Sequence, residues 1–482
     1  MSNQLNAIDH VVWLILENRS FDQLLGFLYA DTGNVSPSGQ AFNGLTGGES
    51  NPDDKGAIVP VYRLQAGDPH PYLAPGADPG EGFQNTNQQL FSADPPPAHS
   101  TPTNKGFVVN FKAAIASDIA KKYKDTLPDV KPAQIMGAYT PTLLPVLCGL
   151  AKGYAVCDAW FASVPTMTMP NRAFALAGTS QGHMDDKVKA FTCPSIFGRL
   201  TDKGLDWAIF GYDRAPLTRL DFTDTHAAPN SHFGLFADFQ ARAAKGTLPP
   251  FTFLEPSWGA AGNSEHPNYD IAKGEQFLHD VYYALRNGPN WSSTLLIVSY
   301  DEHGGNYDHV PPPTGATPPG DGSVGQFGFD FTRFGVRVPA VLVSPRIAPG
   351  TVFRPATGVV DHTSVLKTLQ ERFGLAPLTA RDRAAASLGD VLTLTTPSGA
   401  GDDPLKGVTP PVSQAQPHGA GAPSAMELRH AELLAALPIP NEHGFYATAV
   451  APSSGFASAD DVDAYIRDRS AAWSREVDRR AG

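Results

Sequence analysis

Short apolar runs, each closed by a cluster of polar residues, recur along the chain. His10-Val11-Val12-Trp13-Leu14-Ile15-Leu16 leads into Glu17-Asn18-Arg19-Ser20-Phe21-Asp22. Thr294-Leu295-Leu296-Ile297-Val298 leads into Ser299-Tyr300-Asp301-Glu302-His303-Gly304-Gly305-Asn306-Tyr307-Asp308-His309. Continuous apolar runs of this length read as strands buried on both faces. Similar runs predict strands at 154–158, 206–211, 251–254 and 338–344. Between them, helical patterns cover 132–152, 170–178, 232–244, 273–287 and 364–373. The 170–178 segment has Pro in its first turn and Gly at its exit, the usual asymmetry of a helix. Strand alternating with helix predicts an α/β chain with a largely parallel sheet covered on both faces.

Two stretches break the alternation. Residues 31–105 are rich in Gly, Pro, Asn and Asp and predict a long loop insertion, a lid or substrate wall. Its aromatic and aliphatic residues, Phe83, Leu90, Phe91, Phe107 and Phe111 around its end, either wall a site or fold back into the core. Residues 395–423 read as a Pro/Gly-rich linker, dividing a main domain, 1–394, from a helical tail, 424–482, expected to pack on it. The 46 Gly and 44 Pro of the 482-residue chain agree with many long loops. A net charge of −12 argues against a nucleic-acid binder and leaves no broad basic surface for anionic membranes. Cys148, Cys157 and Cys193 form no metal-binding spacing, and at most one disulfide joins them. No apolar stretch reaches the ~18 to 20 residues of a membrane span. The polar start, Met1 to Ala7, has no export signal, which reads as cytoplasmic unless a signal has been removed.

The chemistry-bearing residues sit where the strands end. Glu17, Asn18, Asp301 and Glu302 are hard oxygen donors suited to one divalent cation, Ca²⁺, Mg²⁺ or Mn²⁺. Either motif alone also fits a strand-end turn whose Asp and Asn bond their own backbone. Two of them, each after a strand, favour the cation site. In Ser163-Val164-Pro165-Thr166-Met167-Thr168-Met169-Pro170-Asn171-Arg172, a hydroxyl lies just before a helix start. Such a start offers free N–H groups to an oxyanion, so Thr168 fits a nucleophile as well as an N-cap. Asn171 and Arg172 are candidates for binding non-bridging oxygens. His266, in a polar turn before a helix, suits a general acid. His99, in the early loop, and His362, before the 364–373 helix, are further candidates.

Together these motifs resemble the bacterial and plant phosphoesterase family of non-specific phospholipases C and related acid phosphatases. His266-Pro267, Phe334-Gly335-Val336-Arg337-Val338-Pro339 and Asp361-His362-Thr363-Ser364 extend the resemblance, which runs from about residue 8 to 375. It implies an alkaline-phosphatase-like α/β/α sandwich. It implies one metal ion on Glu17, Asn18, Thr168, Asp301 and Glu302, with Thr168 as nucleophile and a phospho-threonine intermediate. His266, and His99 less directly, would contact the phosphate or protonate the leaving oxygen, with Asn18, Asn171, Arg172 and His362 around the substrate. The implied activity is that of a phospholipase C, cutting phospholipid to diacylglycerol and a phosphorylated head group, with transient contact at a membrane surface. The alternative is an acid phosphatase using the same site. The chain departs from the family at Pro165-Thr166-Met167-Thr168, where relatives commonly have Pro-Gly-Pro-Thr; Thr166 is therefore a lesser candidate for the attack.

Overall fold

The computed structural model describes residues 3–121, 126–187, 190–259, 261–399, 401–413, 422–440, 446–447 and 456–481. The first apolar run becomes an inner strand of an 8-stranded sheet. Its strands are β1 (His10–Leu16), β2 (Ala155–Val156), β3 (Trp207–Gly211), β4 (Phe233–Leu235), β5 (Phe251–Leu254), β6 (Thr294–Tyr300), β7 (Ala340–Val343) and β8 (Thr351–Val352). They lie in the order β8-β2-β7-β6-β1-β5-β3-β4. All pairs are parallel except the two made by β7, which runs antiparallel to both β6 and β2. Every residue of β6, and all of β1 beyond His10, is buried, as the unbroken apolar runs require.

Helices cover both faces. On one side α4 (Pro145–Gly153), α7 (Phe236–Lys245) and α8 (Ile271–Arg286) pack together. On the other lie α5 (Thr168–Ala177), α6 (Ile196–Asp202) and α9 (Thr363–Phe373). The remaining helices that matter here are α1 (Phe21–Leu25), α2 (Phe83–Phe91), α3 (Phe107–Lys121), α10 (Ala425–Ala435) and α11 (Ala459–Ala481). The architecture is the expected α/β/α sandwich.

Several segments differ from expectation. The 132–152 pattern divides into a 3₁₀ turn, Pro132–Met136, a two-residue strand and α4, because Pro132 and Pro145 each open a new helical turn. Helix α5 starts at Thr168 itself, so Pro170 sits within the first turn, where its missing N–H costs nothing. The 31–105 insertion is not an open loop. It holds α2 and a small strand pair, Ser50–Pro52 with Ile58–Pro60. Leu90, Phe107 and Phe111 fold into a second apolar core, leaving Phe83 and Phe91 beside a cavity of about 800 Å³. All three cysteines are free thiols.

The described part of the 395–423 stretch is docked. Leu405 is fully buried against Gly149, and Asp403 accepts hydrogen bonds from the Tyr282 and Tyr283 hydroxyls at 3.0 Å. Residues 414–421 of the linker, and 441–445 and 448–455 of the tail, lie outside the described residues. Helices α10 and α11 pack on each other, and Asn230 donates to the Ser474 carbonyl at 2.7 Å, fastening the tail to the main domain. Among the described residues no helix is long and apolar enough to cross a membrane.

Candidate active site

Strands β1 and β6 pair in parallel with Leu16 opposite Tyr300, so their polar extensions emerge side by side. The Asn18 N–H donates to Asp301 Oδ1 at 2.9 Å, and the Glu302 N–H donates to the same oxygen at 2.8 Å. Asn18 takes a left-handed backbone, φ 56°, which few residues other than Asn and Gly adopt cheaply. Gly304 closes the second turn at φ 56°, and a Cβ there would lie 2.0 Å from the Asn18 carbonyl oxygen. Only glycine permits that approach. The Asn306 amide then donates to the same carbonyl at 3.1 Å.

Helix α5 delivers the hydroxyl. Thr168 Oγ1 donates to Asn18 Oδ1 at 3.2 Å. Thr166, by contrast, spends its hydroxyl on the Met184 carbonyl at 2.7 Å. Asn171 is equally committed: its Oδ1 accepts from the Val164 N–H, and its amide donates to the Val164, Thr166 and Met167 carbonyls. It pins the turn that precedes Thr168 and has no capacity left for a phosphate. Arg172 binds Asp301 Oδ2 through Nε at 3.0 Å and reaches the Ile15 and Leu16 carbonyls through Nη2. Among the described residues only its Nη1 has no hydrogen-bond partner, and its guanidinium rests 4.7 Å from the Trp258 ring centroid.

The carboxylates are more numerous than the strand ends account for. From the insertion come Asp78 and Glu81, and from the segment after α5 comes Asp186, whose Oδ1 accepts from the Met169 N–H at 2.7 Å. Glu81 Oε2 accepts a short hydrogen bond from the Asn18 amide. Burial, reinforced by Glu302, Asp78 and Asp186, holds the Glu81 carboxyl well above its ordinary range. Burial and the Asp301 charge do the same to Glu302. Glu17 is pushed up to about 7, burial first, with Asp301 adding to it and His266 opposing. Asp186 rises to about 6, again through burial. Glu17 is 1% exposed, and among the described residues neither of its carboxylate oxygens, nor Glu302 Oε1, has a hydrogen-bond partner. Buried, unbonded carboxylate oxygens at converging positions fit a hard divalent cation.

The histidines divide. His266 is brought to Asp78 and Glu81, with one ligand atom from each of the three within 4.8 Å of the others. His362 is fully buried, and both ring nitrogens are used: Nε2 donates to the Asp301 carbonyl at 2.6 Å and Nδ1 accepts from the Trp160 indole at 3.1 Å. It therefore positions Asp301 and offers no atom to a substrate. His99 is not brought to the carboxylates: it lies exposed, φ 60°, on the rim of the Phe83–Phe91 cavity. His303, lowered to about 3 by burial, is neutral and donates through Nε2 to Gln89 Oε1 at 2.7 Å, tying α2 to the second strand end. Behind the site Arg337 binds both Asp22 and Asp308, locking the two polar extensions together.

The sequence pattern missed Asp78, Glu81 and Asp186, which follow no strand. Their only signal is acidic side chains in Gly/Pro-rich or turn segments, Asp78-Pro79-Gly80-Glu81-Gly82 and Met184-Asp185-Asp186.

The sequence profile of the phosphoesterase family matches residues 8–376. Non-specific phospholipase C6 of Arabidopsis thaliana is 36% identical over 413 residues, covering 81% of this chain and 74% of that one. Phospholipase C A of Mycobacterium tuberculosis is 29% identical over 468 residues, covering 86% and 83%. Among solved structures, an alkaline phosphatase superfamily protein from Vibrio parahaemolyticus overlaps 54% of this chain and 66% of its own, at 14% identity and TM-score 0.32, too slight a likeness to carry an argument. The profile match spans the sheet, both strand-end motifs and the Thr168 helix, so the chain belongs to the phosphoesterase family and is a phosphoric ester hydrolase.

Proposed function

We propose that the chain is a metal-dependent phosphodiesterase of the phospholipase C type, which splits a phospholipid into diacylglycerol and a phosphorylated head group. The observation that carries this reading is the Thr168 hydroxyl, placed in the first turn of α5 and bonded to Asn18 between the two carboxylate-bearing strand ends. The printed names of the relatives, phospholipases C of plant and mycobacterial origin, support the substrate class.

Glu17, Asn18, Thr168, Asp301 and Glu302 would hold one divalent cation. When bound, it supplies positive charge to the nucleophilic oxygen and to the non-bridging phosphate oxygens. The rest falls to the chain's own groups. Thr168 Oγ1 gives up its proton and attacks phosphorus in line, forming a P–O bond as the bond to the glycerol oxygen breaks and that oxygen takes up a proton to leave as diacylglycerol. The resulting phospho-threonine is cleaved by water, which releases the phosphorylated head group and restores the hydroxyl. Arg172 Nη1 is the guanidinium donor left for a phosphate oxygen.

A phosphomonoesterase using the same groups is the second reading. The printed names of the relatives, phospholipases C, favour the diester. Hydrolysis of p-nitrophenyl phosphorylcholine and of p-nitrophenyl phosphate, each with and without prior chelation, separates the two. Preference for the choline diester, abolished by chelation, is expected. Preference for the monoester would make the protein a phosphatase.

A further inference from the structure

We propose that Asp78, Glu81 and His266 hold a second divalent cation beside the first, one that accepts a nitrogen ligand, with Zn²⁺ as the best-suited ion. This deepens the reading above and shares its first cation site.

Three observations converge on it. One ligand atom each from Asp78, Glu81 and His266 lie within 4.8 Å of one another, the spread of a coordination shell. Two carboxylates and an imidazole are a three-ligand set that leaves an open position, as catalytic zinc sites do. The imidazole is also prepared for the role. His266 Nδ1 lies 3.1 Å from the Pro267 carbonyl, which can only accept, so Nδ1 carries the proton and Nε2 keeps its lone pair. The Tyr269 ring, centroid 4.9 Å away, holds the imidazole plane. Finally, Glu17, whose N–H donates at 2.9 Å to the Ser264 carbonyl two residues before His266, is buried, and among the described residues neither of its carboxylate oxygens has a hydrogen-bond partner.

The two sites differ in chemistry: the first offers oxygen alone, the second oxygen and nitrogen. A cation on Glu81 also explains why the insertion folds inward, bringing a carboxylate against Asn18 where like charges repel.

The test is metal content. Full-length protein is stripped with chelator, equilibrated with Zn²⁺, desalted and analysed by inductively coupled plasma mass spectrometry. His266→Ala and Glu81→Gln should each retain about one equivalent less than the wild type. Circular dichroism verifies folding, and if one variant unfolds the other is read. Folded variants that both keep the wild-type zinc content overturn the second site. Asp301→Asn is the separate arm for the first site: full metal content there would sink the first assignment and leave the second standing.

Discussion

At the scale of single residues, the sharpest contrast is between two threonines two positions apart. Thr168 bonds Asn18, whereas Thr166 is tied to a carbonyl on a neighbouring segment. Thr168→Ala should therefore abolish turnover, by at least ~10³-fold if the hydroxyl is the nucleophile, with an unchanged melting temperature. Thr166→Ala should cost mainly stability, about 1 kcal/mol for a lost buried hydrogen bond. Turnover of both variants on the choline ester, with denaturant melts alongside, checks the pair; an active Thr168→Ala refutes the assignment. Glu17, Asn18, Thr168, Asp301 and Glu302 were legible in the sequence because they follow buried strands or open a helix, places where side chains are aimed by regular backbone. Asp78, Glu81 and Asp186 were not, because a loop has no periodicity from which to read direction. The pattern nominates a histidine, His99, from the early loop; the group that arrives is Glu81. Asn171 and His362 were legible as important but not in role, since only the partners of each atom show that both are fully spent on positioning.

At the scale of elements, the strand-end turns behave as one unit. Gly304 fits only because the Asn18 backbone comes within contact distance, and Arg337 clamps Asp22 to Asp308 behind them. Gly304→Ala combines a positive φ with a backbone collision, so a loss of about 1 to 3 kcal/mol in stability is expected. The same variant should bind metal more weakly, because Asn18 and Glu302 are displaced together. Calorimetric titration with Mn²⁺ beside a urea melt would register both effects; wild-type values in both would mean the turn is softer than its contacts suggest. Element identity was largely readable from apolar periodicity. Helix starts were less so, as α5 shows, because a proline in the first turn marks a helix only to within a few positions.

At the scale of the whole molecule, buried acids set the response to pH. Glu275, whose oxygens cap α4 through the Val146 and Leu147 N–H groups, is pushed up to about 8 by burial. Glu255 and Glu265 are each pushed up to about 7, also by burial. A carboxyl raised in the folded state holds its proton where the unfolded chain has lost it. Its stabilising contribution is complete below the unfolded value, near 4.5, and is lost as pH climbs through the folded one. Stability should fall between pH 5 and 8, by up to ~1.4 kcal/mol per pH unit for each group titrating. Melting temperatures across that range, in chelator, provide the measurement. Glu275→Gln should flatten the slope, and a stability that rises with pH would contradict the account.

The sheet order has one more consequence, and it concerns time. Strand β1 is the first strand of the sheet to leave the ribosome, yet it pairs only with β5 and β6, which begin at residues 251 and 294. At ~5 to 20 residues per second, synthesis keeps this segment, apolar at every position after His10, waiting roughly 10 to 50 s for its first partner. Through that interval the Glu17 half of the site exists without the Asp301 half. The nascent chain is thus both inactive and adhesive until most of it has been made, so its yield in a cell should depend on whatever shields β1 in the meantime.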